Sequence, residues 1–106
     1  MSLKQAYQQK IEVQVEKFDA EIARIEAEAK KRKAELKEMR IDASLTVQAH
    51  LRAMRDKRFE LGQKLGKLKT ASQESFDELK SGIEKAGSEL EASLDKIRDT
   101  FKTAVT

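Results

Sequence analysis

Proline and cysteine are absent from this 106-residue sequence, and aromatic residues are scarce, with four Phe, one Tyr and no Trp. Without cysteine there is no disulfide framework, no thiol nucleophile and no Cys-ligated zinc site. A helix interior excludes proline at a cost of about 3 kcal/mol, so its absence favours long helices over a domain with many turns. The shortage of aromatic residues argues against a conventional globular core.

Long apolar runs are also missing. No stretch approaches the roughly 20 apolar residues that span a bilayer, and the first residues, Met1 to Tyr7, do not resemble a signal peptide. The expectation is therefore a cytoplasmic protein.

Charged residues make up 39% of the chain and hydrophobic residues another 39%. This composition, rich in Ala, Lys, Glu and Leu, is typical of long helices and coiled coils. Disorder is the main alternative at such a charge content. It is rejected because the apolar residues are regularly spaced.

The first apolar seam lies between residues 7 and 39, where apolar residues recur at three- and four-residue steps, the heptad spacing of a coiled coil. Ala29 and Arg32 weaken its middle. Its members are Ile11, Val15, Phe18, Ile22, Ile25, Ala29, Leu36 and Met39.

Residues 41–53 alternate strictly between apolar and polar, which in isolation predicts a β-strand. The strand is rejected because three of its seven apolar residues are alanine and the sequence offers no second strand to pair with it. As a helix, this stretch is either contacted from two directions or bent near 41–47.

The apolar spacing then resumes, is interrupted near 69–74, and begins again as a second clean stripe. The resumed seam comprises Val47, Leu51, Met54, Leu61, Leu65 and Leu68. The second stripe comprises Phe76, Leu79, Ile83, Ala86, Leu90, Leu94, Ile97 and Phe101. Thr70 or Ser72 is a candidate N-cap, and Thr70 with Gln73 has capping-box spacing.

These patterns predict an all-α unit with a long helix over about 3–69 and a shorter one over about 73–104, forming a helical hairpin. The alternative is one near-continuous helix in a coiled coil. Because the second helix is too short to cover the first, the uncovered seam predicts a homo-oligomeric helical bundle.

Charge is unevenly distributed along the chain. Residues 1–70 hold 17 basic and 11 acidic residues, a balance of +6, whereas residues 71–106 hold 5 and 8, a balance of −3. One hypothesis is that an acidic stripe docks antiparallel on a basic stripe, so that assembly weakens with salt. The other is two solvated faces. The residues concerned are Lys30, Lys33, Lys37 and Arg40 on the basic side, and Glu84, Glu91, Asp95 and Asp99 on the acidic side.

Catalytic and metal-binding patterns are not found in the sequence. His50 is the only histidine and has no acidic residue three or four positions away. Gly62 and Gly66 belong to no phosphate-binding loop. We therefore expect no catalytic residue, metal or cofactor, and a protein that is not an enzyme.

Two other functions remain open. The run Lys30–Lys33 suggests weak nucleic-acid binding, although glutamates flank it. The helix from Phe76 to Phe101 has the size of an interfacial amphipathic helix, but its polar face is acidic, which opposes anionic lipids.

The segments Leu68–Ser72, Phe76–Ala86 and Glu89–Leu90 resemble a group of small bacterial coiled-coil proteins described as stress-response proteins. Their tails carry a pattern of the type Ala-Trp-Glu-Asp-Leu-Lys-x-Gly-x-Glu-x-Ala-Trp-x-x-Leu. Phe76 stands where relatives often have Trp, and Gly87 stands where they often have a second aromatic residue. The resemblance extends to the Ala/Glu/Lys-rich N-terminal half and implies a soluble accessory protein without catalytic residues.

The predicted function is accordingly a non-catalytic, self-associating accessory or scaffold of the stress-response type. It would act through helix–helix contacts with itself and with other helical proteins.

Overall fold

A computed structural model describes residues 2–32 and 41–105, with side chains for 2–32 and 45–102. Three α-helices account for nearly all of this described part: α1 (Leu3–Lys31), α2 (Ile41–Thr70) and α3 (Phe76–Val105). A short 3₁₀ turn, Gln73–Ser75, precedes α3. The all-α prediction is confirmed, and the alternating stretch 41–53 is helical.

Contacts between the helices define their directions. Glu12 pairs with Lys69 and Glu26 with Arg55, so α1 and α2 are antiparallel. Lys57 pairs with Glu89, so α3 is antiparallel to α2 in turn. The result is an up–down–up three-helix bundle of 53 × 19 × 18 Å.

The single helix predicted over 3–69 is therefore wrong, as is the near-continuous coiled coil. At 1.5 Å per residue such a helix would be roughly 100 Å long, about twice the length of the bundle. Instead, α1 ends at Lys31, with Arg32 as its C-cap, and the chain direction has reversed when α2 begins. Residues 41–47 form the first turns of α2, and the predicted bend near 41–47 stays a prediction.

The connection between α2 and α3 lies within the predicted interruption at 69–74. Thr70 is the last residue of α2, and its hydroxyl donates to the Lys67 carbonyl at 3.3 Å. Thr70 is therefore not the N-cap of the next helix, and the predicted capping box with Gln73 is not formed. Ser72 is the N-cap residue of the 3₁₀ turn by its backbone conformation. Lys4 Nζ on α1 donates to the Ala71 carbonyl at 2.5 Å, just beyond the end of α2 where carbonyls lack helical partners.

The core runs the length of the bundle where the apolar seams of the three helices meet. Most predicted seam residues are buried there, while Phe18, Ile22, Leu51 and Leu79 are partly buried against it. Each buried aliphatic or aromatic side chain contributes roughly 1.5–3 kcal/mol. The buried residues are Ile11, Val15, Ile25, Val47, Met54, Leu61, Leu65, Leu68, Phe76, Ile83, Ala86, Leu90, Leu94, Ile97 and Phe101.

The core also corrects the argument for a homo-oligomer. That prediction rested on a seam left uncovered by a helix that was too short, whereas α1 covers the α2–α3 hairpin within the same chain. Contact between α2 and α3 is much more extensive than contact of either with α1. Self-association therefore requires a surface other than the seam. Leu36 lies outside the described residues.

Candidate protein-binding surfaces

Three ion pairs form a ladder between α1 and α2, and its acidic members are spaced seven residues apart. Lys69 Nζ lies 3.5 Å from Glu12, Arg58 Nε lies 2.5 Å from Asp19, and Arg55 Nε lies 3.0 Å from Glu26. A heptad separation returns each carboxylate to the same side of α1. The ladder closes the boundary between α1 and α2.

The boundary between α2 and α3 is closed by two lysines. Lys57 pairs with Glu89, and Lys64 Nζ donates to the Gly82 carbonyl at 3.4 Å. The hydrogen bond from Lys57 is the main cause that lowers the pKa of Glu89, and it also raises the pKa of Lys57.

The third boundary, between the parallel helices α1 and α3, is closed at its ends by aromatic contacts. Near the start of α1, the rings of Tyr7 and Phe76 meet edge to face with centroids 5.6 Å apart, and the Tyr7 hydroxyl donates to the Lys80 carbonyl at 3.4 Å. At the other end, the Arg32 guanidinium lies 5.4 Å from the Phe101 ring centroid and donates to the Phe101 carbonyl at 3.1 Å.

Between these ends the α1–α3 boundary opens into a groove of about 340 Å³. Its apolar wall and floor come from Ile11, Phe18, Leu61 and Ile83. A Cβ at Gly87 would meet no atom within 4 Å, so the groove is open above this glycine. The remaining lining residues are polar: Gln14, Glu84, Ser88 and Glu91.

The rim of this α1–α3 groove is acidic. Glu84 and Glu91 are exposed, lie seven residues apart on α3, and form no ion pair within the described part of the chain. Farther along α3, Arg98 neutralises Glu21 of α1 at 2.5 Å. Glu84 and Glu91 thus make the α3 side of the groove acidic. Tyr7 lies at one end of the groove. Its pKa is raised, mainly by burial and secondarily by Glu84.

A second surface lies on α2, on the side opposite to the core. It holds two of the large apolar residues that remain exposed in the bundle, Phe59 at 67% and Leu45 at 58%. We call it the outer stripe; its members are Leu45, Ala49, Arg52, Asp56, Phe59, Gln63 and Gly66.

Of the predicted basic stripe, only Lys30 lies within the described residues. Because α1 and α3 are parallel, Lys30 lies toward the C-terminal half of α3, and no ion pair joins it to Glu84, Glu91 or Asp95 among the described residues. Asp95 pairs with Arg98 at 2.8 Å. Lys33, Lys37 and Arg40 lie outside the described residues, so docking between chains stays a prediction.

The apolar stripe that suggested a membrane-surface helix is occupied inside the bundle, since Phe76, Ile83, Leu90, Ile97 and Phe101 are all buried there. No helix in the described residues is long and apolar enough to cross a bilayer. His50 is partly buried, and the described residues hold no group of His, Cys, Asp and Glu that could bind a metal ion.

Sequence reasoning missed the ladder, the groove and the outer stripe. The seven-residue spacing of Glu12, Asp19 and Glu26 was a usable signal for the ladder. The groove had no such signal, because it depends on α1 folding back beside α3.

Comparison with family models, curated proteins and solved structures finds no match to this chain.

Proposed function

We propose that this chain is a non-catalytic helical scaffold of the cytoplasm that acts by binding amphipathic helices and by associating with itself. In this proposal it serves as an accessory protein of the bacterial stress-response type. The observation that carries the proposal is the α1–α3 groove, with an apolar floor and an acidic rim lacking ion-pair partners among the described residues.

The chemistry of the groove favours one class of ligand. Phe18 is partly buried and offers an apolar surface to an anchoring side chain, above a floor to which the buried Ile11 and Ile83 belong. The open space above Gly87 admits a large anchor. Glu84 and Glu91 flank it and favour Lys or Arg on either side of that anchor. The expected ligand is therefore a basic amphipathic helix, with apolar anchors at i, i+3, i+4 and i+7.

The resemblance to stress-response proteins supports the same assignment at one position. Those proteins often have an aromatic residue where this chain has Gly87, which is the residue beneath the open part of the groove. In this chain the position is empty, so a side chain from another protein can occupy the space that an aromatic residue of the chain itself would fill.

The test uses two synthetic helical peptides with the same leucine seam, one flanked by lysines and the other by glutamates. We expect the lysine peptide to bind the wild-type protein at low salt, in an isothermal titration, and the glutamate peptide not to bind. In the double variant E84K/E91K the charge of the rim is reversed. This variant should bind the lysine peptide more weakly than the wild type and should bind the glutamate peptide more tightly.

Gly87→Phe tests the groove itself, with Gly87→Ala as its matched control. Both replacements remove a helix-weakening glycine, but only phenylalanine fills the groove. Gly87→Phe should abolish binding of the lysine peptide and Gly87→Ala should retain it. Equal affinity for both peptides, or undiminished binding to Gly87→Phe, would exclude the groove as the binding site.

A further inference from the structure

The outer stripe of α2 has the spacing of a second coiled-coil seam. Its members recur at alternating steps of four and three residues from Leu45 to Gly66, and they lie on the side of α2 opposite to the buried Val47, Met54 and Leu61. The stripe members are all exposed.

The outward side of α3 provides a contrast. A solvent-facing helix surface is ordinarily polar, and in α3 the equivalent positions are Ser81, Lys85, Ser88, Ala92, Asp95 and Asp99, with no large apolar residue. On α2 the same side presents Phe59 and Leu45 together with the small residues Ala49 and Gly66. The outer stripe therefore differs from an ordinary solvated helix face.

The stripe is complementary to itself when a second copy runs antiparallel. With the two-fold axis at the level of residue 54, Arg52 lies opposite Asp56 of the second copy, and Asp56 lies opposite the second copy's Arg52. In the next layer Phe59 lies opposite Ala49, a large residue against a small one. A parallel arrangement would instead place Arg52 against Arg52 and Phe59 against Phe59.

Charge supports the same pairing. Within the described residues, neither Arg52 nor Asp56 forms an ion pair, although both flanking basic residues, Arg55 and Lys57, do. A two-fold contact makes every pairing twice, once in each direction, so one Arg–Asp match yields two ion pairs.

We infer that the protein forms a two-fold homodimer in which the outer stripes of two α2 helices pack antiparallel. This inference rests on the self-association named in the proposed function and identifies its surface. One helix pair buries little area compared with the roughly 1,200–2,000 Å² of stable complexes, so the dimer is concentration-dependent, with a dissociation constant of about 1 µM or weaker.

Charge reversal provides the test, by sedimentation velocity over a range of protein concentrations. Arg52→Asp and Asp56→Arg each place like charges opposite one another in the dimer. Each should raise the dissociation constant about tenfold or more. The double variant R52D/D56R restores opposite charges in both layers and should dimerise like the wild type. An equimolar mixture of the two single variants should form a heterodimer, because each supplies the charge that the other lacks.

Lys96→Asp makes an equally large charge change at an exposed position of α3. It is the matched control and should leave the dissociation constant unchanged. Circular dichroism should be the same for all variants because the replaced residues are exposed.

If wild-type protein stays monomeric throughout, the self-association is overturned along with its surface. If a dimer persists in both single variants, or the double variant and the mixture stay monomeric, this surface is overturned while self-association stands. Peptide binding to the groove in Arg52→Asp reports on the proposed function separately.

Discussion

The Arg58 guanidinium on α2 binds both carboxylate oxygens of Asp19 on α1, with Nε at 2.5 Å from one and Nη2 at 3.1 Å from the other. The regular antiparallel register set by the neighbouring ion pairs would place residue 62 opposite Asp19, and residue 62 is glycine. Arg58, one turn away, extends over Gly62 to reach the carboxylate. A Cβ at position 62 would lie 2.8 Å from Arg58 Nη1, so the glycine provides the space that this contact occupies.

Arg58→Ala should lower the free energy of unfolding by up to about 1 kcal/mol. A bidentate pair is stronger than an ordinary surface pair, but both side chains are substantially exposed, and solvent screens them. The loss should shrink in high salt. Denaturant unfolding at two ionic strengths measures it.

Gly62→Ala should stabilise the protein much less in the wild type than in Arg58→Ala. Alanine gains up to about 1 kcal/mol over glycine in a helix, but in the wild type the new methyl group displaces the Arg58 side chain from Asp19. A double-mutant cycle over Arg58 and Gly62 measures the difference. An equal gain in both backgrounds would show that the two residues are independent.

Leu90→Ala should destabilise the bundle by about 2–5 kcal/mol, because Leu90 is fully buried and alanine leaves a cavity. Leu45→Ala, the same replacement at a 58% exposed site, is the control and should cost less than about 0.5 kcal/mol in dilute protein. Thermal unfolding followed by circular dichroism compares the two. Similar losses would contradict the assignment of Leu90 to the core and Leu45 to the surface.

Tyr7 should titrate above its ordinary pKa of 10.0 in the folded protein, since burial and then Glu84 both disfavour the phenolate. It is the only tyrosine and there is no tryptophan, so the absorbance of tyrosinate reports this residue alone. Glu84→Gln should lower the pKa of Tyr7 part of the way toward 10.0. A pKa at or below 10.0 in the wild-type protein would contradict the partial burial of Tyr7 and its proximity to Glu84.

The raised pKa of Tyr7 also determines how its contribution to the free energy of unfolding depends on pH. Because the folded-state pKa of Tyr7 is raised, its contribution is fully present below the unfolded value of 10.0 and is lost as the pH rises through the folded value. As the pH rises above about 10, the free energy of unfolding should therefore fall less in Tyr7→Phe than in the wild type.

Glu89 should show the opposite dependence. Lys57 lowers the pKa of Glu89 from its ordinary value of 4.5, so the stabilisation is present above 4.5 and is lost as the pH falls through the lowered value. Glu89→Gln removes this group, and the melting temperatures of the two proteins should converge on acidification from about pH 7 to about pH 3. A constant difference would contradict the pairing with Lys57.

The helix class and most of the core could be predicted because heptad spacing is a local property of the sequence. Ile11, Leu61, Ile83 and Leu90 fall on their seams by counting alone, and burial follows once each seam meets another. The capping box of Ser2 and Gln5 at the start of α1, with both hydrogen bonds at 3.2 Å, also has a local signal that pattern reading overlooked.

The reversal between α1 and α2 could not be predicted in the same way. Apolar residues recur on both sides of residues 33–40, where no glycine or proline signals a turn, so spacing alone favoured one continuous helix. What decides the reversal is the exposed seam that the α2–α3 hairpin would otherwise leave, and that is a property of the assembled helices. The groove beside Gly87 forms only when α1 lies beside α3. It therefore depends on the same reversal and could not be predicted from the sequence either.

The α1–α3 groove opens on the side of the bundle that faces away from α2, because Leu61 of α2 contributes to its floor. In an α2-to-α2 dimer the two grooves would thus point in opposite directions, separated by the thickness of two bundles that are each 18–19 Å across. Such a dimer is divalent. It could crosslink two separate ligands, but a single short helix could not bridge both grooves, so avidity would require a long or flexible ligand carrying two basic segments.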